Sequence, residues 1–366
     1  MEFLILFLFC FIITGILCAS YWIPRHIFFI HFSVTGKKST DSSSNIITFI
    51  PGQEKPLPKA YCPIKKGNYT WKTMSPSIFS LENGKITAKR TGTGILFCHK
   101  RYRRKWAFGL LKIRVNEKPA FFRHTLLVHA LGGMEKQYTY CNCLEGLEQS
   151  LARKSPFIEA DMILTSDGEL VCSHGWKKKT YTLTGVPFPT GNAVMSYDTF
   201  MNTKIQGKFT TIDARKIVDT MKKYPKILVE LDLRTLNRKT AKRTCEKIVE
   251  VFEHRDDLLH RLLIQVGSPD MYAGIDNVYH FPYYQYFIHK DEAANPQPVI
   301  DFCVKKGIIS AAIKDTYFSP ELQSLCHRNG ICVLVYTVDD PQAAKNFLAS
   351  GADTICSNFL TPEELP

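Results

Sequence analysis

The feature that most constrains the fold is an alternation of short apolar runs with helical segments, from about residue 122 to the end of the chain. Eight apolar runs are separated by segments whose apolar residues recur with helical spacing. Eight strands, each followed by a helix or loop, in roughly 240 residues match the count and size of an α/β (β/α)8 TIM barrel. A doubly wound sheet is the competing arrangement, but no GxGxxG motif opens the first helix. The predicted strands are 125–129, 157–161, 227–233, 262–266, 284–289, 308–313, 331–338 and 354–357.

The beginning of the chain has the composition of a membrane segment. Phe3–Trp22 carries no charged residue, and its length matches the ~20 residues that a helix needs to cross a bilayer. We therefore expect a transmembrane helix in residues 1–24, as an anchor or an uncleaved signal. The nearest basic residues, Arg25, Lys37 and Lys38, follow the segment, and by the positive-inside rule this order favours a cytoplasmic body.

Two further regions separate this segment from the predicted barrel. Residues 25–58 include a Ser-rich stretch and end in Pro and Lys, which predicts a linker. Residues 59–117 contain short alternating apolar runs divided by turn signals, which predict a small all-β domain. The order of Trp71, the segment Asn83–Ala88 and a closing run Ile113–Val115 resembles a bacterial immunoglobulin-like domain of the invasin type. That resemblance implies a spacer or adhesion module, and a generic β-sandwich is the alternative.

Charge and cysteine content narrow the classes of partner. The chain has 47 Lys and Arg against 34 Asp and Glu, a net charge of +13, which favours phosphate esters or an acidic lipid or cell-wall surface. No zinc finger or aromatic RNA-binding signature accompanies this charge, so nucleic acid is not an expected partner. The cysteines are scattered, and Cys141 and Cys143 lack CxxC spacing, so no metal–thiolate site is expected.

The ends of the predicted barrel strands carry residues suited to phosphoryl transfer. A TIM barrel places its chemistry at the carboxyl ends of its strands. The first strand ends in His129, and the second ends in Glu159 and Asp161, whose spacing of two puts both side chains on one face. The next segments deliver His174 and Glu230. Carboxylates in one barrel mouth repel one another unless a cation lies between them, and oxygen ligands favour Ca²⁺ or Mg²⁺. Two histidines beside such a cation can serve as base and acid.

These residues lie in motifs that resemble the glycerophosphodiester phosphodiesterase family, TIM-barrel enzymes of the phosphatidylinositol-phospholipase-C type. The resemblance covers about 240 residues and keeps the order of several strands. The matching segments are His129–Gly133, Asn142–Leu147, Ile158–Val171, His174–Trp176, Val335–Asp340 and Gly351–Phe359. It implies metal-dependent hydrolysis of a glycerophosphodiester to an alcohol and glycerol phosphate. It also implies that His129 and His174 are the catalytic acid/base pair and that the ligands of a divalent cation, Ca²⁺ or Mg²⁺, are Glu159, Asp161 and Glu230.

Three positions depart from the family pattern. Ala130 stands where the family usually has Arg, and Asp232 stands where it usually has Lys; both basic residues typically contact the substrate phosphate. Gly175 stands where Asp often follows the second histidine. Arg234 is a candidate replacement for the missing cation, and Asp232 is either a further carboxylate of the metal site or a partner of Arg234. The candidate substrate-binding residues are Arg234, Trp176 and Tyr336.

Two other functions for the barrel are compatible with these residues. The barrel could serve as a non-catalytic binding module attached to the cell envelope. It could also hydrolyse another phosphodiester, such as a lysophospholipid, a glycerophosphoinositol or a teichoic-acid polymer. A spacer-like domain, a Ser-rich linker and a substrate class abundant in envelopes favour a single-pass membrane protein with an extracytoplasmic barrel, against the positive-inside rule.

Overall fold

A computed structural model describes residues 27–33, 46–235 and 237–366. The chain divides into two compact units, Met1–Glu117 and Lys118–Pro366. The apolar segment 3–22, expected to enter a membrane, lies outside the described residues. Among the described residues, no helix has both the length and the apolar character needed to cross a bilayer.

The described part of the first unit is all-β, and its strands form three small sheets. A five-stranded sheet has the order β1-β10-β9-β6 with β3 also paired to β10; β2 pairs with β5, and β8 lies between β4 and β7. The strands are β1 Ile27–Phe29, β2 His31–Ser33, β3 Ile46–Phe49, β4 Glu54–Pro56, β5 Lys59–Tyr61, β6 Tyr69–Thr73, β7 Phe79–Glu82, β8 Lys85–Ala88, β9 Gly92–Tyr102 and β10 Lys105–Val115.

Period-two alternation explains how these sheets share a core. Along β10, every second residue from Ala107 to Val115 is buried, and the residues between them face outward. Phe79 of β7 and Ile86 of β8 pack in the same buried cluster as the inward residues of β9 and β10. The relation of this domain to immunoglobulin-like modules stays a prediction.

The segment predicted as a linker, 25–58, differs from that expectation. It contains β1 to β4. Strand β3 runs parallel to β10, with Ile46 opposite Lys112 and Phe49 opposite Val115. In the sequence, the Ser-rich stretch before β3 made this region resemble a linker. In the structure, Ile47 and Phe49 alternate into the core, as expected for a half-buried strand.

The second unit is the predicted TIM barrel. Eight parallel strands follow one another around the sheet, and the first pairs with both the second and the last, which closes the barrel. A ninth strand, β13 Leu170–Cys172, pairs antiparallel with β12, and β14 Lys204–Ile205 with β15 Phe209–Thr210 forms a separate hairpin. The barrel strands are β11 Leu126–Val128, β12 Phe157–Leu164, β16 Leu228–Leu233, β17 Leu262–Val266, β18 Tyr284–Phe287, β19 Ser310–Lys314, β20 Cys332–Tyr336 and β21 Thr354–Ser357.

Several helices begin where the sequence supplies a capping side chain. Asp213 accepts a hydrogen bond from the Lys216 amide at one such start, and Ser319 does the same for Leu322, with proline in the first turn. The helices are α1 Leu144–Ala152, α2 Lys178–Thr184, α3 Tyr197–Met201, α4 Ala214–Lys223, α5 Arg238–Val251, α6 Asp256–Leu259, α7 Pro269–Asp276, α8 Lys290–Ala294, α9 Gln297–Lys306, α10 Pro320–Arg328 and α11 Pro341–Ala349.

Candidate active site

Four carboxylates meet on two neighbouring barrel strands. In the parallel pairing of β12 with β16, Glu159 lies beside Glu230, and Asp161 lies beside Asp232. The spacing of two within each strand puts all four side chains on the same side of the sheet. Glu159, Asp161 and Glu230 are each at most 3% exposed. The strand register therefore concentrates negative charge in a place that water scarcely reaches.

Three of these carboxylates have the geometry of a metal site. One oxygen each from Glu159, Asp161 and Asp232 lies within 4.8 Å of the other two. Glu230 was predicted as the third ligand; the structure puts it in the same pocket but outside this group of three. One oxygen of Glu230 accepts a hydrogen bond from Gln285 at 2.7 Å, while Oε2 is buried with no hydrogen-bond partner. An oxygen-only donor set with a buried, unpaired carboxylate oxygen fits a hard divalent cation.

Burial and mutual repulsion perturb the carboxylates. Burial raises the pKa of Glu159 well above its ordinary value, and the charges of Asp161 and Asp232 raise it further. Burial also raises the pKa of Glu230, again with Asp232 contributing. A bound cation would relieve this repulsion and keep the carboxylates ionised.

Arg234 supplies a positive charge to the cluster. Its Nη1 donates to Asp232 Oδ2 at 2.6 Å, and its Nε lies 3.9 Å from Asp161 Oδ1. The same Nε donates to the main-chain oxygen of His174 at 3.2 Å. The side chain is 31% exposed, and Arg234 lines the pocket. Asp232 therefore pairs with Arg234, as one of the two sequence alternatives predicted, and it also belongs to the group of carboxylates that could hold a cation.

His129 is held by a chain of hydrogen bonds that leads to a carboxylate. Its Nδ1 lies 2.8 Å from Oδ1 of Asn358. Asn358 donates its side-chain NH₂ to Asp339 at 2.8 Å and its main-chain N–H to the same carboxylate at 2.7 Å. Because the NH₂ group is occupied by Asp339, the amide oxygen faces the histidine, and Nδ1 must carry the proton. Nε2 of neutral His129 is therefore a free acceptor.

Tyr140 lies between the two predicted catalytic histidines. Its ring centroid is 4.8 Å from that of His129 and 4.5 Å from that of His174, in edge-on contacts. All three residues line the same pocket. Burial lowers the pKa of His174, opposed by the charge of Asp161. Burial, with the charge of Asp161, raises the pKa of Tyr140, so its hydroxyl stays protonated.

Residues near the first strand position the carboxylates. The Ala130 N–H donates to Glu159 Oε2. Asn142 is fully buried, and its side chain exchanges two hydrogen bonds with Asp161, one to Oδ2 at 2.8 Å and one from the main-chain N–H at 3.1 Å. Gly132 has φ of +110°, a conformation that other residues rarely adopt. These contacts fix the loop that follows β11 against the acidic cluster.

The remaining candidates divide between two pockets. Tyr336 lines the pocket of the histidines, which has a volume of about 190 Å³, with its ring 5.2 Å from that of Phe287. Trp176 instead lines a smaller neighbouring pocket; its indole N–H donates to the main-chain oxygen of Leu164 at 2.9 Å, and its ring packs on Phe200. The structure thus brings Tyr336 and Arg234 to the histidines but places Trp176 beside the site.

Sequence reasoning assigned no role to Tyr140, Asn142, Asp339 or Asn358. Signals for three of them were available, since Asn142, Asp339 and Asn358 all fall within the segments that resemble the family. Tyr140 lies between two of those segments, His129–Gly133 and Asn142–Leu147, and nothing in its neighbours marks it.

Comparison with known proteins shows the family of the chain. A family model described as the glycerophosphoryl diester phosphodiesterase family matches residues 133–361. The chain belongs to this family. It is accordingly a phosphoric diester hydrolase of the glycerophosphodiester phosphodiesterase type, as the sequence motifs predicted. No curated protein matches the chain significantly.

Solved structures share the barrel. A phosphodiesterase from Oleispira antarctica, solved in complex with its product sn-glycerol-3-phosphate, aligns with a TM-score of 0.53 at 16% identity, over 66% of this chain and 94% of the other. A glycerophosphodiester phosphodiesterase from Parabacteroides distasonis gives 0.53 at 16% identity, over 66% and 95%. The enzyme from Thermotoga maritima gives 0.50 at 16% identity, over 64% and 95%. At such identities the likeness shows a common fold.

Proposed function

We propose that the barrel hydrolyses a glycerophosphodiester to an alcohol and glycerol phosphate, with a divalent cation and with His129 and His174 as the proton-transferring pair. The observation that carries the proposal is the single pocket lined by both histidines, by Glu159 and by Arg234. A cation site, two proton carriers and a guanidinium are the groups that phosphodiester hydrolysis needs. The Oleispira structure with glycerol phosphate bound supports this choice of substrate.

Each histidine has a distinct task in this proposal. His129 acts as base, because Asn358 holds the proton on Nδ1 and leaves Nε2 free to accept one from the attacking hydroxyl, which belongs to water or to the glycerol. His174 acts as acid and donates to the departing alkoxide oxygen. Its lowered pKa makes its imidazolium a stronger acid, and the negative charge of the substrate favours the protonated form. Tyr140, in edge-on contact with both rings, keeps them apart.

Glu159, Asp161 and Asp232 would hold the cation, and Glu230 has a free buried oxygen beside them. When bound, a divalent cation supplies Lewis-acid polarisation of a phosphoryl oxygen and neutralises charge. Arg234 contacts the same carboxylates and lines the pocket, so its remaining N–H groups are placed to bind a phosphate oxygen. Tyr336 and Phe287 form an apolar wall suited to the glycerol or alcohol part of the substrate.

A substrate assay with and without chelator tests the proposal. The purified protein is incubated with glycerophosphocholine, lysophospholipid, glycerophosphoinositol and polymeric glycerol phosphate, and the released glycerol phosphate is measured. Turnover that is lost with chelator and restored by Ca²⁺ or Mg²⁺ is the expected result. Full turnover in chelator would refute the cation, and an intact fold with no turnover of any diester would favour a binding module.

We also propose that Phe3–Trp22 anchors the chain in a membrane, with the barrel on the extracytoplasmic side. The support is the uncharged segment, together with a substrate class that is abundant in cell envelopes. Protease treatment of intact cells tests the orientation. Digestion of the barrel without lysis is expected, whereas survival until the membrane is breached would place the barrel in the cytoplasm.

A further inference from the structure

The net charge of the chain lies entirely in its first unit. Residues 1–117 contain 18 Lys and Arg against 5 Asp and Glu, whereas residues 118–366 contain 29 of each. The excess of 13 positive charges is therefore absent from the catalytic barrel. A positive charge that attracts an anionic substrate to the active site would be expected around the barrel mouth. Because the excess charge lies in the first unit instead, we infer that it serves to bind a different anionic partner.

An apolar patch lies on the outer side of the five-stranded sheet of this unit. We call it the aromatic face and define it as Phe29, Ile95, Phe97, Trp106, Phe108 and Leu110. These residues alternate with the buried positions of their strands, and the strand register puts Phe108 beside Phe29 and Leu110 beside Phe97. Phe29 is 78% and Leu110 is 59% exposed. The other four side chains are half-buried. A contiguous apolar patch that remains this accessible to water marks an interaction surface.

Stacked rings make the aromatic face a continuous patch. The rings of Trp106 and Phe108 are 5.9 Å apart and nearly parallel, and those of Phe108 and Phe97 are 6.2 Å apart. The antiparallel pairing of β9 with β10 holds these residues in register. The face thus presents a preformed apolar platform, which lowers the entropic cost of binding.

Exposed cations surround the platform. Arg101 lies over the Trp106 ring at 4.5 Å, and the hairpin Arg101–Lys105 has four Lys or Arg among its five residues. Lys112 and Arg114 continue the outward side of β10 beyond Leu110, and both are exposed. Aromatic and aliphatic side chains ringed by Lys and Arg are the composition of a surface that enters the headgroup region of an anionic bilayer.

The position of the apolar leader favours a bilayer over nucleic acid. Six residues lie between Trp22 and Phe29, and a fully extended chain from one to the other spans at most about 25 Å. A membrane that takes up Phe3–Trp22 therefore keeps the aromatic face close to its surface. Base stacking would use Phe97 and Trp106, but it gives no purpose to exposed Leu110 or to half-buried Ile95 beside the rings.

We propose that the aromatic face of the first unit docks on the surface of a bilayer that contains anionic lipids, and that the surrounding cations bind the headgroups. This docking does not depend on the chemistry of the barrel. It would hold the first unit flat against the membrane instead of letting it extend away as a spacer.

Depth-dependent quenching of tryptophan fluorescence tests the docking in the full-length protein. The protein is reconstituted into vesicles of phosphatidylcholine, with or without phosphatidylglycerol, that carry lipids brominated at different acyl positions. The chain has four tryptophans, and the difference between the wild type and Trp106→Phe isolates the signal of Trp106. Trp71→Phe is the matched control, because Trp71 lies in the same sheet but packs toward the core.

The Trp106 signal should be quenched by bromine near the headgroups in vesicles with phosphatidylglycerol, and the Trp71 signal should not. The triple variant R101Q/K112Q/R114Q should lower the ratio of docked to undocked protein roughly 100-fold, because each cation near an anionic surface contributes to the attraction. Its turnover of a soluble diester should equal that of the wild type, which separates a failure of docking from a failure of catalysis. A Trp106 signal that is insensitive to brominated lipid, or that polyuridylate quenches while vesicles do not, would overturn the proposal.

Discussion

Substitution of Asp339 by Asn is the sharpest test of how the pocket controls His129. Asp339 accepts three hydrogen bonds, from the hydroxyl of Ser357 and from the main-chain and side-chain N–H groups of Asn358, at 2.7, 2.7 and 2.8 Å. A neutral amide has one oxygen and cannot accept all three. The Asn358 side chain then loses the charge that orients it and can turn its NH₂ group toward His129. Nδ1 of the histidine would have to accept, and the proton would move to Nε2, the atom proposed as base.

The size of the effect follows from the hydrogen bond that is lost. A hydrogen bond to a charged group contributes about 1.5–3 kcal/mol, so the correct tautomer and orientation should become about 10- to 100-fold rarer. We expect kcat on glycerophosphocholine to fall by that factor at saturating cation. The affinity for the cation should not change, because Asp339 does not belong to the carboxylate group.

The neighbouring residue offers a matched control. Asp340 accepts a hydrogen bond from the Ala343 N–H and caps α11. Asp340→Asn preserves a side chain that can still cap the helix, so it should retain nearly all activity. The protonation of the His129 nitrogens, followed by ¹⁵N NMR in both variants, reports the tautomer directly. Unchanged kcat in D339N, or an equal loss in D340N, would refute the reasoning.

Three further predictions address the cation, the histidines and the fold. Glu159→Gln should abolish cation-dependent turnover and Glu230→Gln should weaken it, with cation binding followed by calorimetry; full activity of either in chelator would contradict the assignment. His129→Ala and His174→Ala should each lower turnover by roughly 10²-fold or more with little change in melting temperature, whereas a structural histidine would show lost stability and residual activity. Asp353→Asn should destabilise the barrel by about 3 kcal/mol, because Asp353 is buried and accepts from Lys118, His327 and the Val333 N–H. Burial opposes ionisation of Asp353, but its partners outweigh burial and hold its pKa below the ordinary value. The contribution of ionised Asp353 to the stability of the fold is therefore complete above the pKa of an unfolded Asp, and it is lost as pH falls through the pKa of the folded state. The difference in melting temperature between the variant and the wild type should therefore shrink in acid.

The barrel was predictable because its signal repeats. Each strand is an apolar run long enough to be distinguished from the helix that follows, and eight such runs leave few other architectures. The first unit was less predictable. Strand β1 has only three residues, and its partner β10 is distant in sequence, so no local pattern marks residues 27–29 as part of a sheet.

The candidate site was predictable as a set of strand ends but not as a geometry. The spacing of two residues along one strand shows that Glu159 and Asp161 share a face. It does not determine the register between that strand and its neighbour. That register puts Asp161 beside Asp232 and Glu159 beside Glu230, and it decides which carboxylates approach one another. Tyr140 and Asn142 both have positive φ in the loop before α1. Such conformations arise from tertiary contacts and are not encoded in local propensity.

Two departures from the family pattern, Ala130 and Asp232, both make the pocket more negative than the resemblance implies. A lysine at position 232 would add a positive charge beside Glu159 and Asp161, whereas Asp232 adds a negative one. Arg234, two residues further along, contacts both Asp232 and Asp161 and so compensates that negative charge without replacing the missing positive one. Ala130, in the loop after β11, stands where the resemblance implies a second cation. If the proposed cation binds, an anionic diester should depend more strongly on it for binding, so we expect removal of the cation to raise KM as well as to lower kcat.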